Sequence, residues 1–433
     1  MKTKLLCISA FFVALCGAAR GQDLAGDWQG TLKAGPRELR LIIHIEKGEG
    51  GQWKATLASI DQSPDRGAAM PADSVTVQGT DVKIGVAAIR GNYAGELSAD
   101  GTSMAGTWTQ GAPLPLDLKR ATPETAWKDP SPHSVQFVNV DKDVKLEVLD
   151  WGGSGRPMVL LPGLGNTAHI FDQFALKLNS QYHVYGITRR GFGASSAPAK
   201  GYAADRLGDD VLAVLEALRI EKPVLVGHSL GGEELSSVGS RHPERVAGLI
   251  YLDAGYGYAF YDPSRGELMI DLRDLESKLA QLHPGKGPAD PRPLLKELLE
   301  TSLPGLERDL REQLKTMETM SPAALAAQAA APPVRGPSQE IMNGTQKYNK
   351  ITPPILAIYA VPHDRGPLTS SDPAARAAQD ARDEETSGSQ AKAFENGLPT
   401  AKVVRIPHAD HYVFRSNEAD VLREINAFVA GLK

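Results

Sequence analysis

The stretch that most restricts how this chain can fold is residues 223–232, which read PVLVGHSLGG. The apolar residues 224–226 have the composition of a short strand that is buried on both faces. A Gly-His-Ser-Leu-Gly turn follows, and residues 233–241 have helical character. Such a turn between a strand and a helix holds its serine in strained backbone, beside the free N–H groups of a helix N-terminus. The pattern therefore predicts that Ser229 is a nucleophile; a structural turn serine is the alternative.

Length and composition restrict the class of protein. The chain has 433 residues, which is long for one ordinary domain and typical of two or three. Hydrophobic residues make up 42 % and charged residues 23 %, as in soluble globular proteins. The formal charge is −5 and no lysine or arginine cluster occurs, so we do not expect nucleic acid as a partner.

The N-terminus has the pattern of a targeting segment. Lys2 and Lys4 precede an apolar run over residues 5–15, and small residues follow up to Gly21. This pattern predicts a signal peptide over residues 1–21 and export to the periplasm or the extracellular medium. The run is too short to span a membrane, and no later run approaches the required length, so no stable membrane span is expected. A retained anchor is the alternative.

Both cysteines, Cys7 and Cys16, fall within this leader. The mature chain is therefore expected to have neither a disulfide nor a thiol nucleophile.

Residues 23–120 alternate between apolar and polar positions. About eight such runs are separated by glycine-rich turns, without a segment of helical period, which predicts a small all-β barrel or sandwich. We find no catalytic chemistry in this stretch. Residues 121–134 contain three prolines and no periodicity, which indicates a linker.

Residues 135–433 alternate between strand and helix patterns, which predicts an α/β domain with a mostly parallel sheet. Residues 255–350 interrupt this alternation with helical segments, so we expect a helical cap inserted over the carboxyl edge of the sheet. In the cap, Leu306, Leu310 and Leu314 begin a stripe at helical spacing, which favours simple packing over pocket lining. Tyr256, Tyr258, Phe260 and Tyr261 follow a strand end and are expected to wall the substrate site or to form a hinge core.

A serine nucleophile needs a base and a carboxylate that orients the base. The loops after strand ends are the place to look for both. They offer Asp364 as the acid and His411 as the base, so that the chain order is nucleophile, acid, base. His411 is preferred to His408 because apolar residues follow it directly and would hold its ring in place by packing. Asp253, which also ends a strand, is the alternative acid.

An oxyanion hole needs two N–H groups aimed at the developing negative charge. The N–H of Leu230, directly after the nucleophile, is one candidate. The other is the N–H of Leu164, in the Pro-Gly-Leu-Gly-Asn loop after an earlier strand. A plain strand-to-helix turn is the alternative reading of that loop.

Two further groups of residues have simpler interpretations. Glu233 and Glu234 place favourable negative charge in the first turn of a helix, and the alternatives are support of the residues of the site or contact with a substrate amine. His363, His408 and His411 have spacings compatible with a metal site, but a metal would leave the serine turn unexplained. No metal and no cofactor are therefore expected.

From about residue 135 to the C-terminus the chain resembles the α/β-hydrolase superfamily. The resemblance rests on LLPGLGN, RRGFGASS, VGHSLGG, YLDAG, the Asp364 loop and IPHADHYVF. The family often has His-Gly before the oxyanion residue, whereas this chain has Pro162-Gly163, which keeps the backbone donor and loses the histidine. The all-β stretch is similar to accessory domains that precede some secreted bacterial hydrolases.

The resemblance implies an α/β-hydrolase fold with a cap and acyl transfer to water through a serine-bound intermediate. We expect a secreted serine hydrolase that acts on small-molecule carboxylic esters. Amide or peptide, lactone and C–C bond hydrolysis on the same triad are the alternatives, and a non-catalytic binding protein is a further one. The oligomeric state and the natural acyl and alcohol groups have no signal in the sequence.

Overall fold

The computed structural model describes residues 23–34, 37–48, 50–60, 69–127, 132–323, 325–326, 336–366 and 371–433. The predicted signal peptide lies outside the described residues. Within them, two sheets follow one another along the chain, and no helix is long and apolar enough to cross a membrane.

The first sheet is antiparallel and curled, and its described part has ten strands. Its core is built on Trp28, Tyr93 and Trp108, each at most 2 % exposed. This sheet confirms the all-β domain expected ahead of the α/β region. The strands are β1 (Gly26–Ala34), β2 (Arg37–Lys47), β3 (Trp53–Ser59), β4 (Met70–Pro71), β5 (Ser74–Gln78), β6 (Asp81–Val86), β7 (Gly91–Leu97), β8 (Ser103–Gln110), β9 (Ala112–Pro115) and β10 (Leu118–Arg120).

The second sheet has eight strands in the order β11-β12-β14-β13-β15-β16-β17-β18. The pairs β11–β12 and β12–β14 are antiparallel, and the remaining pairs, from β14 through β18, are parallel. This confirms the predicted α/β class. The strands are β11 (Ser134–Asp141), β12 (Val144–Gly152), β13 (Pro157–Leu161), β14 (His183–Ile187), β15 (Val224–His228), β16 (Gly248–Leu252), β17 (Ile355–Ala360) and β18 (Ala401–Ile406).

Helices cover both faces of the second sheet because its central strands are apolar on both sides. The core on one face includes Val211, Val238 and Phe394, and the core on the other face includes Phe174 and Phe414. The helices are α1 (Asp172–Leu178), α2 (Ala204–Ala217), α3 (Gly231–Arg241), α4 (Leu268–Ala280), α5 (Arg292–Glu297), α6 (Leu303–Glu318), α7 (Pro337–Asn343), α8 (Pro373–Asp383), α9 (Ser389–Gly397), α10 (Val413–Ser416) and α11 (Glu418–Ala430).

Helices α4 to α7 lie in the long insertion between β16 and β17, where the sequence predicts a cap. The prediction that the leucine stripe on α6 is packed is wrong, since Leu310 and Leu314 are 52 % and 58 % exposed. The buried residue of α6 is instead Asp309, which accepts hydrogen bonds from the Arg308 guanidinium at 2.8 and 3.0 Å. The same guanidinium donates to the carbonyl oxygen of Pro263 at 2.8 Å, so α6 is held to the loop before α4 by a polar contact rather than by the leucines.

Candidate active site

Ser229 stands between β15 and α3, in the sharp turn that the sequence predicts. Its φ of 49° is in the left-handed region, which L-residues rarely adopt. A side chain at Gly227 would lie 2.7 Å from the backbone carbonyl carbon of Gly231, so the turn is too tight for a larger residue there. The hydroxyl of half-buried Ser229 is thus presented at the carboxyl end of β15.

The structure brings His411 to Asp253, the residue that directly follows β16. The Nδ1 atom of His411 lies 2.6 Å from Oδ2 of Asp253, and Nε2 of His363 lies 2.8 Å from the same oxygen. The other oxygen accepts hydrogen bonds from the Tyr256 hydroxyl at 2.7 Å and the Ala360 N–H at 3.1 Å. Burial raises the pKa of this fully buried carboxyl, but the hydrogen bonds and charges of the two histidines hold it well below its usual value.

Asp364, the acid preferred from the sequence, is not brought to His411. Its side chain is exposed, and its carboxylate accepts a hydrogen bond from the Gly366 N–H at 2.8 Å. The geometry corrects that choice in favour of the alternative, Asp253. The physical reason is position: Asp253 directly ends its strand and points at the loop of His411, whereas Asp364 lies four residues beyond the end of β17, in a turn toward solvent.

His411 is seated against the serine turn. Its ring centroid lies 4.7 Å from that of His228, the residue before Ser229, and its carbonyl oxygen lies 3.0 Å from Nε2 of His228. Because Nδ1 is directed at Asp253, Nε2 is the nitrogen that remains for a substrate or a hydroxyl. In the described part of the chain no hydrogen bond joins His411 to the Ser229 hydroxyl, which lies beside the Tyr258 hydroxyl. Catalytic hydrogen bonds of this kind are often loose without substrate.

His363 is a functional residue that the sequence considered only as a metal ligand. Its Nδ1 lies 2.8 Å from Oδ2 of Asp383, while its Nε2 is directed at Asp253. Burial lowers the pKa of His363, but the two carboxylates outweigh burial and raise it to about 9. At neutral pH the ring is therefore a cation that shares the carboxylate of Asp253 with His411. Its signal in the sequence is only that it follows β17 closely.

The candidate metal ligands around Asp253 have hydrogen-bonding geometry. The ligand atoms of Asp253, His363 and His411 all lie within 4.8 Å of one another. The distances of 2.6 and 2.8 Å from the two rings to the carboxylate are those of charge-assisted hydrogen bonds. Exposed His408, the third histidine of the sequence-based metal alternative, does not belong to this group.

The two predicted oxyanion donors lie on either side of the nucleophile. Leu230 immediately precedes α3, and Leu164 lies in the turn after β13. A side chain on Gly163 would lie 2.9 Å from Cβ of Ser229, so this turn passes directly against the nucleophile. In the described part of the chain, neither leucine N–H has a hydrogen-bond acceptor. Both are therefore available to an oxygen of a substrate.

Buried Arg189 fixes the oxyanion turn from behind. Its guanidinium donates to the carbonyl oxygens of Pro162 at 2.7 Å and Gly163 at 3.4 Å. It also binds Glu234 of α3 through two hydrogen bonds of 2.7 Å. Burial raises the pKa of Glu234 and Arg189 opposes that rise, so we assign the pair as ionised on its bidentate geometry. Glu234 thus couples the oxyanion turn to the nucleophile helix, a supporting role that the sequence offered only as an alternative to helix-terminal charge.

Apolar side chains form a wall beside the nucleophile. Leu230 and Ile341 of α7 are buried, and Leu164, Phe192 and Tyr258 pack against them. Of the four aromatic residues expected to wall the site, Tyr256 and Tyr258 reach Asp253 and Ser229. Phe260 instead packs on Phe394, and the Tyr261 hydroxyl binds Asp271 of the cap.

Comparison with known proteins identifies the family. The model of the alpha/beta hydrolase family matches residues 158–424, which is more than half of the chain. The chain belongs to the alpha/beta hydrolase family. It is therefore a hydrolase by family, and Ser229, Asp253 and His411 all lie within the matched residues.

Named relatives of the hydrolase have different substrates. A 2-(acetamidomethylene)succinate hydrolase of Mesorhizobium japonicum is 24 % identical over 285 residues, which are 64 % of this chain and 89 % of that protein. A 3-oxoadipate enol-lactonase of Acinetobacter baylyi is 33 % identical over 105 residues, which are 24 % of this chain and 39 % of the lactonase. An esterase from Rhodococcus has a TM-score of 0.44 at 17 % identity, with 69 % of this chain and all of the esterase covered.

Glu233 of the hydrolase is buried in the first turn of α3, close to the nucleophile in sequence. It is 0 % exposed, and in the described part of the chain neither of its carboxylate oxygens has a hydrogen-bond partner. Burial and the neighbouring charge of Glu234 raise its pKa well above the usual value, while Arg189 opposes them. Glu233 therefore holds its proton in the folded hydrolase at a pH where the unfolded chain has lost it.

This proton gives a stability prediction. Because the folded pKa of Glu233 is raised, its stabilising contribution is complete below the unfolded pKa and is lost as pH rises toward the folded pKa. Glu233→Gln removes the ionisable group, so we expect the melting temperature of the variant to exceed that of the parent by an amount that grows from pH 5 to pH 8, reaching about 2–4 °C. Exposed Glu244→Gln is the matched control. A difference that is constant with pH would contradict the assignment.

Proposed function

We propose that this hydrolase is an exported serine hydrolase that cleaves small-molecule carboxylic esters with Ser229 as nucleophile, His411 as base and Asp253 as orienting acid. The observation that carries the proposal is the 2.6 Å hydrogen bond between His411 and Asp253, made beside the strained turn of Ser229. Export is supported by the leader-like pattern of residues 1–21.

The first half-reaction forms an acyl-enzyme. Nε2 of His411 removes the proton of the Ser229 hydroxyl as Oγ attacks the ester carbonyl carbon, and a tetrahedral oxyanion forms. The N–H groups of Leu164 and Leu230 stabilise that oxyanion. Asp253 keeps the Nδ1 proton of His411 in place and stabilises the imidazolium. The imidazolium then protonates the departing alkoxide as the C–O bond breaks.

The second half-reaction regenerates the hydrolase. A water molecule gives a proton to Nε2 of His411 and attacks the acyl carbon, so that a second tetrahedral oxyanion forms at the same two N–H groups. Collapse of this intermediate breaks the bond to Ser229 Oγ, which takes back a proton from His411. The products are a carboxylic acid and an alcohol, and the residues described supply each proton transfer.

Amide cleavage is the second candidate. It is favoured by the relative that hydrolyses 2-(acetamidomethylene)succinate, since the matched region covers 89 % of that protein. The same groups would serve, with His411 protonating the departing nitrogen instead of an alkoxide. A direct comparison of ester and amide substrates that share one acyl group distinguishes the two proposals.

The test of the proposed function combines labelling with turnover. We expect a fluorophosphonate to modify the purified full chain once, at Ser229, as located by peptide mass spectrometry, and Ser229→Ala to abolish both labelling and hydrolysis. A panel of aryl esters, lactones and anilides should show the largest kcat/KM for the esters. Modification at another residue, or esterase activity that persists in Ser229→Ala, would refute the triad; faster turnover of anilides would favour amide cleavage.

The second histidine on Asp253 gives a prediction for the pH profile. Protonated His363 lies with its ring centroid 6.3 Å from that of His411, so its positive charge acts on the pair of His411 and Asp253. His363→Gln removes this charge, and its interaction with a second unit charge at this separation is about 1 kcal/mol at a high effective dielectric constant. We therefore expect the acidic limb of kcat/KM against pH to move to higher pH by about 0.5 to 1 unit.

Exposed His408→Gln is the matched control for this measurement and should leave the profile in place. An unchanged acidic limb in His363→Gln would show that the second histidine does not act on the base.

A further inference from the structure

We propose that His133, His169 and Asp172 form a binding site for a zinc-type divalent cation, with Glu147 as the carboxylate that orients His169. The ligand atoms of the first three residues lie within 4.8 Å of one another, in a part of the hydrolase that supplies none of the groups of the proposed triad. Their side chains are enclosed: those of His133, His169 and Asp172 are 2 %, 1 % and 11 % exposed.

The spacing in this cluster is compatible with a coordination sphere in which Asp172 offers both carboxylate oxygens. Nδ1 of His133 lies 3.3 Å from Oδ1 of Asp172, and Nδ1 of His169 lies 3.3 Å from Oδ2 of Asp172. Ligand atoms held about 2.0–2.1 Å from a tetrahedral zinc ion are about 3.3–3.4 Å apart. In contrast, the two histidines that are hydrogen-bonded to Asp253 lie 2.6 and 2.8 Å from its carboxylate.

Two buried polar atoms in the cluster have no hydrogen-bond partner in the described part of the chain. They are Nε2 of His169 and Oε1 of Glu147, which are 3.6 Å apart. A buried ring between two carboxylates can satisfy both in two ways: as an imidazolium, which carries a proton on each nitrogen, or with a cation on one nitrogen and a proton on the other. Zinc on Nδ1 is the second arrangement, and it leaves the remaining proton on Nε2, directed at Glu147. A carboxylate behind a ligating histidine is the usual arrangement around bound zinc.

The surrounding residues are arranged to hold these ligands. The Thr188 hydroxyl donates to Oε2 of Glu147 at 2.6 Å, and the indole N–H of Trp151 donates to Oδ1 of Asp172 at 3.2 Å. The two carboxylates bring two negative charges into a buried site, and one divalent cation balances them. Two imidazoles and a carboxylate oxygen favour zinc over calcium or magnesium.

The site would have a structural role. His133 directly precedes β11, Asp172 begins α1, and His169 lies in the short 3-10 helix immediately before α1. A bound cation would therefore tie the beginning of the second sheet to its first helix. Zinc that binds the folded chain but not the unfolded chain raises the free energy of unfolding by mass action.

The test uses the full chain, purified without a histidine tag and freed of metal with a chelator. We expect isothermal titration with zinc chloride to give one equivalent per chain, the melting temperature to rise by about 3 °C or more at saturation, and cobalt to give tetrahedral absorption bands in the visible. His169→Gln and Asp172→Asn should lose all three signals, whereas His242→Gln, a histidine outside the cluster, should keep them.

Zinc X-ray absorption on the parent chain removes any dependence on how the variants fold. The proposal predicts nitrogen and oxygen neighbours at about 2.0–2.1 Å with two imidazole scattering patterns. No titration heat and no thermal shift in the parent chain would overturn the proposal. Full binding by His169→Gln and Asp172→Asn would also overturn it, because the cation would then lie elsewhere.

Discussion

Asp253→Asn is expected to reduce kcat/KM for the best ester substrate by roughly 10³- to 10⁴-fold with little change in KM. Oδ2 of Asp253 accepts a hydrogen bond from Nδ1 of His411, with 2.6 Å between the two atoms. An asparagine there removes the negative charge that stabilises the imidazolium. Its amide can also donate to Nδ1 and so favour the wrong tautomer. The loss therefore falls on the chemical step, and steady-state kinetics on matched aryl esters measures it.

Asp364→Asn is the matched control, because it replaces the same carboxylate by the same amide in the loop after the neighbouring strand β17. Asp364 is exposed, and its carboxylate accepts a hydrogen bond from the Gly366 N–H at 2.8 Å. We expect its kcat/KM to stay within a few-fold of the parent. Melting temperatures of both variants separate a catalytic loss from unfolding. Equal losses in the two variants, or a larger loss in Asp364→Asn, would contradict the assignment of Asp253.

Local patterns in the sequence were enough to predict the serine turn and the fold class. Ser229 and the donors on each side of it depend on backbone that a few neighbouring residues dictate, namely glycines where a side chain would collide. The parallel sheet follows from alternation of apolar strands and amphipathic helices, since each strand then needs cover on both faces. These features require no knowledge of which distant segments meet.

The features that the sequence did not reveal depend on contacts between distant segments. Asp253 and Asp364 both follow strands, and only the directions of the two loops decide which carboxylate meets His411, 158 residues from Asp253. Arg189 and Glu234 are 45 residues apart and become partners only when the turn after β13 packs on α3. The prediction that the leucine stripe of α6 is packed failed for a related reason. A helical period does not show which side of a cap helix faces its neighbours.

Gly163→Ala is expected to lower kcat by about 10²-fold or more, through an atom added next to the nucleophile. Gly163 has no positive φ, so alanine is compatible with its backbone, and the effect must come from the new side chain. That Cβ would lie 2.9 Å from Cβ of Ser229 and 3.1 Å from Nδ1 of His228. Arg189 holds the carbonyl oxygens of the turn in place, so the turn cannot simply retreat. The N–H of Leu164 or the serine must then move away from its working position, and removing one oxyanion donor costs about 10²- to 10³-fold.

The control for this variant lies two residues further along the same turn. Gly165→Ala places its Cβ where no atom lies within 4 Å, although its φ of +78° strains an alanine. We therefore expect Gly165→Ala to lower the melting temperature and leave kcat near the parent value, whereas Gly163→Ala lowers kcat and slows fluorophosphonate labelling. Since a Cβ at Gly163 would meet the nucleophile and a Cβ at Gly165 would not, this opposite pattern tests whether the turn supplies the oxyanion donor. Parent-like turnover in Gly163→Ala would show that the oxyanion is stabilised by other groups.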